Sequence, residues 1–417
     1  MIIPSIDIIG AQTVQLVGGE RQVIDAGDPR AVLQRFAMVG EVAVVDIDAA
    51  RGEGDNSELI AELCRQAPVR VGGGIRSVDR AVAWLDAGAE KVIVGTAASE
   101  ELLSELPSDR VIVALDARHG EVVTHGWRQG SGRELLDSVA RFRELCGGFL
   151  ITFVEREGRM GGTDLDMARR VVDEAGGARV TIAGGITTPE EIGALDTIGA
   201  DAQVGMALYT DRLSLADAVA AVMRSDRSDG LWPTVVVDEH GLALGLAWSS
   251  RDSLAQALES GRGVYQSRAR GLWVKGETSG ATQELIRVDV DCDRDALRFT
   301  VRQNGPFCHT GTRSCWGEDR GLGRLDRRLA EISERLPPGS NTARLLRDSD
   351  LLDAKLTEEL GEFLAADADV AAEAADLLYF TLVKSISVGV SLEDVASILD
   401  RRERRVSRRP MVAKEVE

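Results

Sequence analysis

The sequence predicts three modules in series: a (β/α)8 barrel over residues 1–225, a small β-rich α+β domain over 226–320 and an all-α module over 321–417. Three observations carry this. Continuous apolar runs alternate with helical periods through the first 225 residues. Cysteines and aspartates then crowd into one strand-and-turn stretch, VDCDRDALRFTVRQNGPFCHTGTRSC, at 290–315. From 321 on, the apolar period lengthens to that of a helix and acidic pairs recur three residues apart. A chain of 417 residues exceeds what one hydrophobic core usually fills, so more than one domain is expected.

The barrel strands come first. VAVVDID (42–48), VRVGGGI (69–75), KVIVGT (91–96), RVIVALD (110–116) and RVTIAGGI (179–186) are apolar on both faces and bounded by glycine, with amphipathic stretches such as 78–87 between them. Strands of that kind belong to a parallel sheet covered by helices. MIIPSIDIIG, with no basic leader and an aspartate in its apolar run, reads as a first buried strand rather than a signal peptide. Length and alternation favour a closed barrel over a doubly wound sheet, and an internal repeat sharpens this. GGIRSVDRAVAWLDAGA (73–89) returns as GGITTPEEIGALDTIGA (184–200) at an offset of 111, and PSID (4–7) returns as VALD (113–116) at an offset of 109. Two half-barrels would set Asp7 and Asp116 on opposite sides of one mouth. The glycine turns, Gly73 and Gly74 with Gly95 and Thr96, and Gly184 and Gly185 with Gly205, would form paired phosphate sites, because a bare backbone at a helix start can approach an anion closely. A GGI turn can also be a plain tight connection; its duplication tells against that. Two phosphates flanking a carboxylate pair suggest acid–base chemistry on a sugar phosphate.

IIPSIDII, VDIDAARG, VGGGIRS, VGTAA, VALDARHG, GW and AGGI resemble the phosphoribosylformimino-AICAR-ribotide isomerases of histidine biosynthesis across nearly all of 1–225. The resemblance implies an aldose-to-ketose Amadori rearrangement, with Asp7 as general base and Asp116 as general acid. The chain departs from that family at TFVEREGR (152–159), where Phe153 and Glu157 replace two aspartates and Arg159 a threonine. It departs again at Met206 and Gln15, each at a usual arginine.

A boundary near 226 follows the charged stretch MRSDRSDG, and DEHG (238–241) signals a hairpin. In DVDCDRDALRF the alternation is that of a strand, which would turn Asp291, Asp293 and Asp295 to one face and Cys292 to the other. Hard carboxylate oxygens suit Mg²⁺ and soft thiolates suit Zn²⁺. With Cys308 and Cys315 the thiolates read C-x15-C-x6-C, three ligands that leave a fourth position open for water. Buried core thiols are the plainer alternative. An odd count of five cysteines argues against a disulfide framework, and three like charges on one face repel unless a cation sits there.

YQSRARGLWVKGETSG (265–280), DCDRD and GPFCHTGTRSC (305–315) resemble phosphoribosyl-AMP cyclohydrolase. The resemblance implies Zn²⁺ on Cys292, Cys308 and Cys315, Mg²⁺ on Asp291, Asp293 and Asp295, and attack of a zinc hydroxide on C6 of the ribosylated adenine, after which the N1–C6 bond opens. It also makes His309 a candidate proton carrier, Arg268, Arg270 and Lys275 candidate phosphate partners, and Trp273 a core residue or base stack. The family pattern implies a homodimer through this domain.

In the last module LPPGSNTARLL (336–346) reads as a turn and a helix, followed by helices through LLDAKLTEELGEFLAA and DVAAEAADLLYFTLVKSI. Glu359 and Glu362 are i,i+3, as are Glu373 and Asp376, so each pair shares a helical face. Four carboxylates facing one another between helices would hold Mg²⁺ against a triphosphate. E-x-x-E…E-x-x-D, with PPGSNTARLL and VSLEDV, resembles phosphoribosyl-ATP pyrophosphohydrolase over about 322–404. The resemblance implies Mg²⁺ on Glu358, Glu359, Glu362, Glu373 and Asp376 and hydrolysis of the α–β phosphate linkage, in an NTP-pyrophosphohydrolase-like fold. Phe380 stands at a usual histidine. The basic tail RRERRVSRRP reads as a frayed, solvated helix end.

The formal charge of −19 argues against a broad nucleic-acid or anionic membrane surface, and no apolar run reaches the ~20 residues of a membrane span. With no signal, the odd cysteine count points to a reducing, cytoplasmic setting. The expectation is an enzyme with three consecutive activities of histidine biosynthesis, acting on phosphoribosyl nucleotides with Zn²⁺ and Mg²⁺. The sequence leaves open a two-activity enzyme with a scaffolding barrel, and a non-catalytic zinc-stabilised interaction protein.

Overall fold

The computed structural model describes residues 1–18, 21–124, 126–127, 129–159, 161–267, 271–317 and 319–408. Eight strands form its first layer: β1 (Ile2–Ile9), β2 (Val42–Asp46), β3 (Val69–Gly72), β4 (Lys91–Val94), β5 (Val111–Arg118), β6 (Gly148–Phe153), β7 (Arg179–Ala183) and β8 (Ala200–Val204). Each pairs in parallel with the next, and β8 returns to β1 with Ala202 opposite Ile2, so the sheet closes and leaves no edge. Every residue of Val69–Gly72 is buried, as the glycine-bounded apolar runs predict for strands covered on both sides.

The internal repeat is visible as structure. After β1 the chain makes an antiparallel hairpin, Gln12–Val17 with Arg21–Gly27, and after β5 it makes another, Glu121–Thr124 with Gln129–Glu134. The helix after β3, Val78–Ala87, is capped by the Ser77 hydroxyl on the Arg80 amide. Its counterpart after β7, Pro189–Thr197, carries a full capping box between Thr188 and Glu191. Near the amino ends of the strands, Arg70 on β3 donates to Thr181 Oγ1 on β7 at 3.0 Å and is ion-paired with Glu41, which also accepts from Arg179 at 2.8 Å. Arg70 is 1% exposed, so this guanidinium is dry and depends on its partners.

The chain divides into two compact units, Met1–Val236 with Leu246–Asn304 and Arg404–Glu417, and Val237–Gly245 with Gly305–Glu403. Beyond the barrel, a four-stranded sheet runs in the order Ala243–Ser249, Trp232–Asp238, Leu297–Gln303, Gln283–Val290, and a short hairpin pairs Val264–Ser267 with Gly271–Val274. The DEHG turn joins the first two strands, with the Asp238 carboxylate accepting from the amides of His240 and Leu242 at 3.1 and 2.9 Å.

One expectation fails here. The strand Gln283–Val290 stops before Asp291, and 291–296 is the turn of a hairpin rather than an alternating strand. The Asp291 carboxylate accepts the amides of Asp295 and Ala296, both at 3.0 Å, and Arg294 takes φ +70°. An aspartate that caps its own backbone in this way competes successfully with the ladder.

The second unit is helical from 321: α1 (Gly321–Arg335), α2 (Asn341–Arg347), α3 (Ser349–Ala365), α4 (Val370–Ser387) and α5 (Leu392–Glu403). Leu329, Leu345, Leu352, Leu382 and Val383 form its core, with Tyr379 and Phe380 packed against them. Among the described residues no single helix is long and apolar enough to cross a membrane.

The tail after α5 is largely exposed, as expected, but its described residues are hydrogen-bonded rather than frayed. Asp86 accepts the amides of Val406 and Ser407 at 2.9 and 3.2 Å and the Ser407 hydroxyl, while Arg404 pairs with Glu90. An acidic corner at the end of helix Val78–Ala87 holds this basic segment against the barrel. Residues 409–417 lie outside the described chain.

Candidate functional site

Asp7 lies near the carboxyl end of β1 and Asp116 near that of β5, on opposite strands of the barrel, as the offset of the repeat predicts. Active sites of this architecture gather at that face. Burial lifts the Asp7 carboxyl to about 7. Burial also raises Asp116, against hydrogen bonds from Trp127 and Thr152 that lower it. A third carboxyl joins them. Glu157, four residues past β6, is lifted to about 7 by burial and then by the charges of Asp7 and Asp116. The sequence marks Glu157 only as a departure from a family motif, and its position beside the pair follows from the loop that returns over the mouth. Tyr209 is a further neighbour: burial and the Asp7 charge push its phenol up, and its hydroxyl donates to the Ser5 carbonyl at 3.0 Å. Trp127, from the GW pair, is the signal the sequence carried for the hydrogen bond to Asp116.

The paired glycine turns adopt matching backbones, with φ +95° at Gly73 and +96° at Gly184. A Cβ on Gly73 would stand 2.1 Å from the Asp46 carbonyl oxygen, and one on Gly184 would stand 2.7 Å from that of Phe153. Close approach of the neighbouring loop thus requires glycine at both positions before any ligand is considered. Gly184, Gly185 and Gly205 line a cavity of about 40 Å³ with Gln203, Met206 and Ser5. In the first half, a Cβ on Gly95 would meet nothing within 4 Å and Thr96 is exposed, so that turn is open. Gln15, where the isomerase pattern has arginine, is buried with its amide on the Val14 carbonyl at 2.9 Å. Phe153 is also buried, and Arg159 lines a separate basin of about 590 Å³ with Arg156, Glu155 and His119.

In the 305–317 loop, Cys308 and Cys315 are hydrogen-bonded, and the Cys315 amide donates to the Leu244 carbonyl at 2.8 Å. The Thr310 hydroxyl donates to Cys308 Sγ at 3.1 Å, and this bond leads the causes that bring the Cys308 thiol down to about 6. Cys308 is therefore a thiolate at neutral pH, the form that ligates zinc. His309 Nδ1 stands 3.8 Å from Cys308 Sγ and its ring is exposed. Cys292 is exposed in the turn between Gln283–Val290 and Leu297–Gln303, in the other compact unit.

The same turn gathers Asp291, Asp293 and Asp295 so that one oxygen of each lies within 4.8 Å of the others. Burial raises Asp291, but hydrogen bonds led by the Ala296 amide outweigh it and leave the carboxyl below its usual range. The charge of Asp293 leads the causes that raise Asp295. Lys275 is buried with its ammonium 5.5 Å from the Trp273 ring centre, and Trp273 packs on Tyr265 with centroids 6.0 Å apart. Arg268 and Arg270 lie outside the described residues.

Between α3 and α4, Glu359, Glu362 and Glu373 converge within the same 4.8 Å limit, and Glu359 is buried. Lys355 pairs with Glu359 at 3.2 Å and with Glu358 at 2.9 Å, and its ammonium lies 5.7 Å from the Phe380 ring. Glu358 and Asp376 are exposed and stand outside the trio. Phe380 packs against the helical core beside Lys355.

A barrel with facing carboxyls, a loop with two hydrogen-bonded cysteines, an aspartate turn and a helical carboxylate trio are the donor sets that the fold gathers on separate segments. The family model described as histidine biosynthesis protein matches residues 1–214, that of phosphoribosyl-AMP cyclohydrolase matches 245–317, and that of phosphoribosyl-ATP pyrophosphohydrolase matches 322–403. The chain belongs to the histidine biosynthesis protein family. It is 38% identical over 358 residues to the histidine biosynthesis trifunctional protein of Neurospora crassa, covering 82% of this chain and 38% of that protein. It is 49% identical over 206 residues to the histidine biosynthesis bifunctional protein of Schizosaccharomyces pombe, 49% of each chain. It is also 43% identical over 222 residues to the phosphoribosyl imidazole-4-carboxamide isomerase of Gemmatimonas aurantiaca, half of this chain and 93% of that enzyme. The chain thus spans half or less of the two fungal relatives. The two hydrolase families use metal ions in general.

Proposed function

We propose that the chain carries out three consecutive steps of histidine biosynthesis in three functional modules, 1–225, 226–320 and 321–417. The last module releases pyrophosphate from phosphoribosyl-ATP, the middle one opens the adenine ring of phosphoribosyl-AMP, and the barrel converts the aminoaldose to the aminoketose. One observation carries the reading: each of the three matched segments holds its own gathered set of donors of the kind its chemistry needs.

At the barrel mouth, Asp116 gives a proton to the sugar ring oxygen as the ring opens, and Asp7 removes the proton from C2. The resulting enolamine gains a proton at C1 as its C2 hydroxyl loses one, which gives the aminoketose. Carboxyls raised towards neutral pH are matched to both transfers. Burial holds the pair high, and the two carboxyls in turn raise Glu157 beside them. The glycine turns at 73–74, 95–96, 184–185 and 205 take the two phosphates, one in each half.

In the middle module the donor set fits zinc, since Cys308 is a thiolate at neutral pH and Cys315 lies against it. Cys292 is the third ligand, and bound zinc would acidify a water for attack on C6. His309 carries the proton away. Asp291, Asp293 and Asp295 fit Mg²⁺ by hardness and convergence, as do Glu359, Glu362 and Glu373. Glu358 and Asp376 complete the latter site when the triphosphate draws them in. Arg268, Arg270 and Lys275 contact substrate phosphate. The middle module is the homodimer interface, a role carried by its resemblance to phosphoribosyl-AMP cyclohydrolase. The partners are small nucleotides, not nucleic acid or membrane, and the setting is cytoplasmic.

The deciding experiment supplies phosphoribosyl-ATP with Mg²⁺ and Zn²⁺ and resolves the products by chromatography. The aminoketose should accumulate. Accumulation of the ring-opened aldose alone would leave a two-activity enzyme with a scaffolding barrel.

A further inference from the structure

Just past the cysteine loop, Thr312, Arg313, Gly317, Asp319, Arg320 and Arg324 line an open basin of about 620 Å³. Its described charges are three guanidiniums and one carboxylate, and that carboxylate is taken by Arg327 at 2.5 Å. Arg313 is held in place by Asp238 at 3.0 Å, an aspartate it shares with Arg327. Arg324 makes one long contact to the Asp319 carbonyl, 3.4 Å, and no ion pair among the described residues. Arg320 is the N-cap of α1, a fifteen-residue helix that starts with no side-chain cap and no acidic residue in its first turn. An arginine cannot accept the amides that open a helix, so the positive end of the dipole faces the same space as the guanidiniums. The start of α1 is pinned: a Cβ on Gly323 would stand 2.9 Å from the His240 ring. Arg313 is neutralised by Asp238 and Glu239, so the local positive character rests on Arg324 beside the uncapped helix start, in a chain of net charge −19.

We propose that this basin binds the phosphate monoester of a nucleotide, with Arg320 and Arg324 as its cationic contacts. Thr312 and Arg313 belong both to the basin and to the loop that carries Cys308 and Cys315, so a nucleotide whose base reaches the thiolates leaves its phosphate there. Arg320 falls between the segments matched by the two hydrolase families, and Arg324 lies at the very start of the second. The contact is therefore supplied by the join between modules and gives the ring-opening site a grip on the product of the preceding step. The identity of the ligand rests on the cyclohydrolase reading; the presence of a phosphate site does not.

The test uses the full chain and the double variant Arg320→Ala/Arg324→Ala, with AMP, inorganic phosphate and adenosine as probes in calorimetry without divalent ions. The same proteins are then assayed for ring opening of phosphoribosyl-AMP. AMP and phosphate should bind at least about tenfold more weakly to the variant, in line with loss of charge-assisted contacts, while adenosine binding is unchanged. KM for ring opening should rise by a similar factor with kcat within about twofold, and Arg324→Lys should keep most of the affinity. Equal AMP binding and equal KM in parent and double variant would overturn the proposal, as would a fall in kcat at constant KM. If arginine-dependent AMP binding is found but no ring opening, the basin stands and the cyclohydrolase reading falls.

Discussion

Asp7 is held at about 7 in the folded barrel against an ordinary 3.8, because its charged form is deprived of water. Below the ordinary value both states are protonated. Between about 4 and 7 the folded state binds more protons than the unfolded one, so stability falls as pH rises through that window. Asp7→Asn removes the penalty. Urea unfolding should find the variant as stable as the parent near pH 3.5 and more stable at pH 8. The gain is a few kcal/mol at most, at ~1.4 kcal/mol per pK unit, and isomerase turnover is lost. A variant no more stable at pH 8 would contradict a desolvated Asp7. Arg70 behaves in the opposite sense. Burial lowers its pKa, while Glu41 and Thr181 hold its charge. Arg70→Met should cost about 3 kcal/mol, the low end for a broken buried pair, because Arg179 still pairs with Glu41. The denaturation midpoint measures it.

At the scale of elements, the 291–296 turn has two separable functions. Asp291 caps two backbone amides, whereas Asp293 faces its fellow carboxylates. Asp291→Ala should lose about 1 kcal/mol of stability together with Mg²⁺ affinity. Asp293→Asn should keep the stability and lose only the affinity, and thermal melts with and without Mg²⁺ separate the two. Equal melting of both variants without the ion would deny Asp291 its capping role. The α3–α4 pair follows the same logic with helices: i,i+3 spacing sets Glu359 beside Glu362, and packing of the two helices brings in Glu373.

For the whole molecule, the three sites lie on different segments with separate donor sets, so their losses should be separable. Cys308→Ser should abolish ring opening while pyrophosphate release from phosphoribosyl-ATP continues. Glu359→Gln should stop pyrophosphate release, yet leave ring opening of added phosphoribosyl-AMP within about twofold. Product chromatography with each substrate checks both, and joint loss would contradict separate sites. The attachment of residues 404–408 to Asp86 and Glu90 ties the chain after α5 to the barrel and was not legible beforehand, because a basic run reads as solvated until its acidic partners are placed.

Much of this protein could be read without coordinates. Glycine-bounded apolar runs dictated covered parallel strands, the repeat set Asp7 and Asp116 across one mouth, and helical spacing paired Glu359 with Glu362. These are local or periodic properties, written in the order of residues. Tertiary structure decided what depends on residues distant in sequence. It brought Glu157 to the Asp7–Asp116 pair by folding a loop over the barrel, and it left Asp376 outside the glutamate trio. Asp291 lies between: alternation predicted a strand, and the carboxylate's own hydrogen bonds to the Asp295 and Ala296 amides made a turn. Periodicity fixes which face a side chain takes, but only the folded environment sets what that side chain meets and how much water it keeps.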